Sequence, residues 1–270
     1  YNNNTFTFRN NTGGTFNVNF NTVTGLTVNG TISATTISGG TLYGDGRNLI
    51  GIPKYYKEPT TPPTVAPIVS GNSIAIGDGA EARSSNMVVF GNQAGQSATG
   101  SSSSLLFGYA AGQSANNSQT AISIGNTAGF ARSNSNGGIS IGSGAGNSAI
   151  GTADAIFIGG QAGQDSSNSI NSVFIGNQAG RNNSNSPYSN MIGYYAGYST
   201  DVANSTKFSN LIGFKAGSPT DDFSFGDNNI IIGTNISLPN FVSNSINIGG
   251  VLFGINTYST SGGTPSIVPT

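Results

Sequence analysis

With no histidine and no cysteine in 270 residues, acid–base and metal chemistry in this chain falls to ten carboxylates: Asp45, Glu58, Asp78, Glu81, Asp154, Asp165, Asp201, Asp221, Asp222 and Asp227. The commonest general base and the thiolate nucleophile are both missing. Cleaving a glycosidic bond needs two carboxyl groups at a defined separation, and the acids cluster only in Asp221-Asp222-Phe223-Ser224-Phe225-Gly226-Asp227. That cluster could also offer oxygen ligands to calcium. A solvated loop is the favoured reading of it. The expectation is therefore a non-enzyme with no catalytic residue, no cofactor and no metal site, although carboxylates from neighbouring copies could still meet.

Aromatic rings are the other chemistry on offer. From about residue 181 onward they concentrate, with 11 of the chain's 25 falling there. Rings give contact area at low entropy cost, as a sugar-binding or protein-binding surface requires. Tyr188, Tyr198, Phe223 and Phe225 fall outside the repeated phrase described next, which makes them the candidate receptor contacts. The alternative is that the rings fill a widening core between chains.

What must position these residues is a phrase that recurs eleven times between Ile74 and Gly250, reading apolar-x-apolar-Gly and often continuing x-x-Ala-Gly. Its glycines are Gly77, Gly91, Gly108, Gly125, Gly142, Gly159, Gly176, Gly193, Gly213, Gly233 and Gly249, spaced by 14, then 17 six times, 20 twice and 16. A fixed period of this size means a solenoid. Apolar side chains two apart share one face of a strand, and glycine turns the chain without a Cβ penalty. Each repeat reads as one coil of a parallel β-helix or β-roll, in an all-β chain.

Apolar supply per coil is thin: two large side chains and one alanine. Fully burying a large side chain stabilises by roughly 1.5–3 kcal/mol, against about 1–2 kcal/mol of backbone entropy for every ordered residue. The missing core is expected to come from other chains, pooling their apolar strips around a common axis. The polar segments between phrases, such as Gln96 to Ser104 and Gln113 to Thr120, read as solvated turns.

The run Asn72-Ser73-Ile74-Ala75-Ile76-Gly77-Asp78-Gly79-Ala80-Glu81-Ala82 resembles the YadA-like head repeat of trimeric autotransporter adhesins. Later copies, such as Phe174-Ile175-Gly176-Asn177-Gln178-Ala179-Gly180, resemble the seventeen-residue variant in tail-fibre proteins of bacteriophages and related viruses. The resemblance covers about two thirds of the chain. It implies a left-handed, trimeric roll, and the choice of three chains leans on it. It further implies an extracellular virion fibre with fibre or baseplate proteins and a host-surface glycan or protein receptor as partners. The alternatives are the passenger of a bacterial cell-surface adhesin and, less favoured, a polysaccharide-degrading tailspike.

Residues 1–52 form a different region. Thr5-Phe6-Thr7-Phe8 and Thr15-Phe16-Asn17-Val18-Asn19-Phe20 alternate as strands around a Gly13-Gly14 turn. The stretch from Leu26 to Ile52 is similar to phage tail-fibre shafts, which implies an intertwined β shaft. Residues 53–71 carry Pro53, Pro59, Pro62, Pro63 and Pro67 and read as an extended linker. The roll is expected over 72–250 and a connector over 251–270.

Composition sets the outer bounds. Charged residues make up 7% and the net charge is −1, so no basic footprint for nucleic acid exists. Regular Ile, Val and Phe spacing argues against disorder. No apolar run approaches eighteen residues, so no membrane insertion is expected. A chain beginning at Tyr1 without a signal peptide suggests a fragment or a processed product.

Overall fold

The computed structural model describes residue 65 and residues 67–199, 206–218 and 226–255, all within one compact unit, Glu58–Thr270. The expected shaft, most of the expected linker, Phe223 and Phe225 lie outside the described residues.

The described chain is all-β, with no helix, and forms a parallel solenoid. Its strands are β1 (Ile68–Val69), β2 (Ile74–Ile76), β3 (Glu81–Ala82) and then one three-residue strand per coil. These are β4 (Val88–Phe90), β5 (Leu105–Phe107), β6 (Ile122–Ile124), β7 (Ile139–Ile141), β8 (Ile156–Ile158), β9 (Val173–Ile175), β10 (Asn190–Ile192), β11 (Asn210–Ile212), β12 (Ile230–Ile232) and β13 (Ile246–Ile248), followed by β14 (Leu252–Gly254). Twelve of them make one sheet in the order β14-β13-β12-β11-β10-β9-β8-β7-β6-β5-β4-β2. Register repeats by whole coils, so that Val88, Leu105, Ile122 and Ile139 stand in one column. The longer spacing keeps it: Asn190 pairs with Asn210 and Asn210 with Ile230.

Both ends differ from expectation. β1 falls inside the segment read as linker and pairs with β3, so the hydrogen-bonded structure starts before residue 72. β14 falls inside the segment read as connector and runs antiparallel to β13, reversing the ladder at its last rung.

Period-two alternation decides which side chains line the coil. In every strand from β4 to β13 the middle residue is buried and its two neighbours are not. The interior column therefore runs through Val89, Leu106, Ser123, Ser140, Phe157 and Phe174, the position that the repeated phrase leaves open. A second column is the alanine of the phrase, Ala94 to Ala216, with each member inaccessible to solvent. Two further columns come from the polar segments. Ser101, Ser118, Ser135, Thr152, Ser169 and Ser186 are buried, as are Ser104, Ser172, Ser189 and Ser209.

These hydroxyls serve the backbone. Ser135 Oγ accepts from the Thr152 amide at 3.0 Å, Ser104 Oγ from Ala121 and Ser172 Oγ from Ser189, both at 3.2 Å. Buried polar groups are tolerated when paired in this way. The Gln96–Ser104 class of segments is thus a wall of the coil and not a set of solvated turns. Parallel bridges link Thr99, Asn116, Ser133, Ile150, Ser167 and Ser184 in succession. Asparagines earn their frequency at the corners, where Asn117, Asn134, Asn168 and Asn185 take φ of 49°, 50°, 48° and 54°, a region that Asn enters more readily than most residues.

The thin-core expectation is corrected by this arrangement. One chain closes its own coil around middle residues, alanines and hydroxyls. What it leaves only partly covered is the pair of outward residues, most of them large and apolar. The largest fully buried apolar side chains, Phe157 and Phe174, stack with centroids 5.3 Å apart. Phe157→Ala is expected to cost about 3–5 kcal/mol in chemical unfolding, whereas Ile158→Ala, on the outer face, should cost an isolated chain much less.

Candidate interaction surface

The first and third residues of each strand form two outward columns that together make one apolar stripe along the solenoid. Ile76 in the edge strand β2 is 38% exposed, and Phe107, Ile124, Ile192, Ile212 and Ile232 are each still 36–37% exposed although β strands hold them on both sides. The first column is Ile, Val or Leu in nine strands and asparagine in β10 and β11. Single exposed apolar residues are ordinary on a soluble surface, but a contiguous stripe of them marks an interaction site.

Ten of the eleven repeat glycines set this geometry, with φ between 129° and 147°. For Gly159 a Cβ would lie 2.5 Å from the Gly176 carbonyl oxygen, because successive coils approach backbone to backbone at that corner. Gly249 is the exception, with φ of 60° and nothing within 4 Å of a Cβ.

Aromatic rings flank the stripe where it turns polar. Tyr188 is 54% exposed and stacks on Phe208, with centroids 5.2 Å apart and planes at 3°. On the other flank Tyr194 stacks on Phe214 at 5.3 Å, and Lys215 Nζ stands 5.6 Å from the Phe214 centroid. Tyr198 is half-buried and tilts against Tyr195 at 4.8 Å. Of the expected receptor contacts, Tyr188 is therefore a surface ring and Tyr198 a partly covered one. Sequence reading placed Tyr194 and Phe214 among the concentrated aromatics but did not single them out. Their signal was their place, directly after a repeat glycine and one coil apart.

Charge is sparse and its clearest cluster is structural. Glu81, buried in β3, accepts from Arg83 Nε at 2.5 Å and Nη2 at 2.9 Å, and from the Ser97 amide at 2.6 Å. The Arg83 guanidinium and that amide hold the Glu81 carboxyl below its ordinary value, against the opposing pull of burial. A depressed carboxylate contributes stability that is complete above the unfolded carboxylate range and is lost as pH falls through the folded value. The thermal midpoint of the native chain is expected to drop on acidification below about pH 4, more steeply than that of Glu81→Gln, when both are followed by circular dichroism across pH.

Arg132 is the opposite case, a cation inside the coil. It is 1% exposed, its Nη1 donates to Ser140 Oγ and its Nη2 to the Thr152 carbonyl, both at 3.4 Å, and Nε has no acceptor. Burial pulls the guanidinium down to about 10, so it stays charged at neutral pH. Its side chain occupies interior space that Ser123, Ser140 and Gly138 leave open. We read it as a volume filler.

Among the described residues no group of three or more His, Cys, Asp or Glu could hold a metal ion, and no helix is long and apolar enough to cross a membrane. No protein-family model and no curated protein sequence matches the chain.

Proposed function

We propose that this chain forms the β-solenoid of an elongated homotrimeric virion fibre, of the phage tail-fibre type, which carries a host-receptor-binding surface away from the particle. The observation that carries the reading is the outward apolar stripe. It runs straight along the solenoid with one step per coil, so the surface that best matches it in length, rise and lack of charge is the same stripe on another copy. Three copies that share a central seam bury the stripe and leave the flanking rings at its rim. Tyr188, Tyr198 and the Tyr194–Phe214 stack are then the candidate contacts for a surface glycan or protein. The mechanism is rigid reach combined with threefold avidity. Fibre or baseplate proteins are the remaining partners, and no chemistry is assigned.

Native mass spectrometry tests the assembly: the expected particle is three times the 27.2 kDa chain. Binding to a glycan array or to intact bacteria tests the attachment role, and Tyr188→Ala is expected to weaken it about tenfold or more. A monodisperse single chain would falsify the trimer, and retained binding by a variant lacking all four surface rings would sink the receptor assignment.

A further inference from the structure

Near-identical rungs pose a registration problem for copies of this chain. Between β4 and β9 the outward stripe changes only from one apolar residue to another, so a copy displaced by one coil, roughly 4.8 Å, meets almost the same surface. Apolar contact is non-directional and does little to oppose such a slip.

Two adjacent rungs break the monotony. Where nine strands carry Ile, Val or Leu, β10 and β11 carry Asn190 and Asn210. Both are half-buried before any partner is added, and Asn190 Nδ2 donates to Asn210 Oδ1 at 2.8 Å. An amide side chain has two N–H donors and two acceptor sites. One bond between the pair leaves most of that capacity for whatever covers the stripe.

We propose that Asn190 and Asn210 form two polar layers that meet the same layers of neighbouring copies and so fix the axial register of the assembly. This rests on the trimeric reading above. In register, amide meets amide. After a slip of one coil, one layer faces Val173 or Ile230 of its neighbour, and a buried amide loses its partner. A single asparagine in an otherwise apolar helical seam selects register by the same cost. The aromatic stack of Phe90 on Phe107, at 4.8 Å, marks the other end of the stripe, but a slip there only sets rings against aliphatic chains.

The chain has no cysteine of its own, so introduced thiols report register directly. Ile124 and Ile141 occupy one outward column a single coil apart. Chains carrying Ile124→Cys and chains carrying Ile141→Cys are co-expressed, assembled and mildly oxidised. With Asn190 and Asn210 in place, like-with-like disulfides are expected to exceed mixed ones by about tenfold. In the Asn190→Val, Asn210→Val background the mixed species should rise to a comparable share while native mass stays at three chains. The Asn190→Gln, Asn210→Gln pair, which keeps the amides, should recover part of the bias. The proposal is overturned if mixed disulfides stay rare in the valine background, or if that background keeps its register and loses glycan binding instead, which would make the amides a saccharide contact. A trimer by mass with no disulfide at either position places the seam elsewhere and overturns it too. A wild-type monomer removes the trimer itself, a result visible by mass alone and therefore separable from failure of the register assignment.

Discussion

Gly159→Ala is expected to prevent the solenoid from folding, while Gly249→Ala leaves it folded with a small loss. At Gly159 the backbone has φ of +129°, and an added Cβ would stand 2.5 Å from the Gly176 carbonyl oxygen, 2.6 Å from its carbon and 3.1 Å from the Asn177 amide nitrogen. None of these atoms can swing aside, because all belong to the next coil's backbone. The strained φ alone costs on the order of 1–3 kcal/mol, and the clash must be relieved by separating two coils whose hydrogen bonds include the Gly176 amide to the Ile158 carbonyl at 2.8 Å and the Gln178 amide to the Gly160 carbonyl at 2.8 Å. A nearest-neighbour stack interrupted in its middle loses cooperativity on both sides. Gly249 keeps the left-handed φ but meets nothing within 4 Å, so its substitution should cost only about 1 kcal/mol. Circular dichroism melts of the two variants check this. Equal midpoints would mean that coil-to-coil approach at the glycine corner does not limit the fold.

That corner was legible in the sequence because a single requirement repeats at a fixed offset. The outward stripe was legible too, since its residues must stay apolar whatever their neighbours are. The interior column was not. Its positions hold Val89, Leu106, Ser123, Ser140, Phe157 and Phe174 in turn, and the constraint acts on the column's total volume and not on each residue. Arg132 shows why: its guanidinium makes up for two serines in adjacent coils and packs over Gly138, a compensation among positions that no local pattern links. The serine columns escaped for another reason. Ser in a run of Asn, Gly and Gln looks like solvent-facing turn text, and only its return at seventeen-residue intervals separates a hydroxyl that pairs with the backbone inside the coil from one that faces water. Of the candidate site, Tyr188 was found by its place outside the phrase, whereas the Tyr194–Phe214 stack exists only because two coils bring residues twenty apart into contact.

Placing charge on the stripe is expected to dissolve the assembly while sparing the coil. Ile158 and Ile175 are the third residues of β8 and β9 and stand in the second outward column, in register with each other, and their side chains leave the interior untouched. Fully burying one isoleucine contributes roughly 1.5–3 kcal/mol. Because both isoleucines are already part-buried within the single chain, three copies carrying Ile158→Asp and Ile175→Asp forfeit only on the order of 3–5 kcal/mol of seam contact, to which the cost of gathering six carboxylates near one axis is added. Native mass should fall from three chains to one at micromolar concentration, with the far-ultraviolet β signal retained if the self-closed interior suffices for folding. Gln119→Lys, an exposed position in the polar wall, is the matched control and should remain assembled. Because carboxylates neutralise in acid, the Asp variant should recover part of its assembly near pH 3, whereas Ile158→Lys with Ile175→Lys should not, and this difference separates repulsion at a seam from simple loss of apolar area. If the Asp variant stays trimeric at neutral pH, the copies meet through some other face and the exposed isoleucines must answer to a different partner.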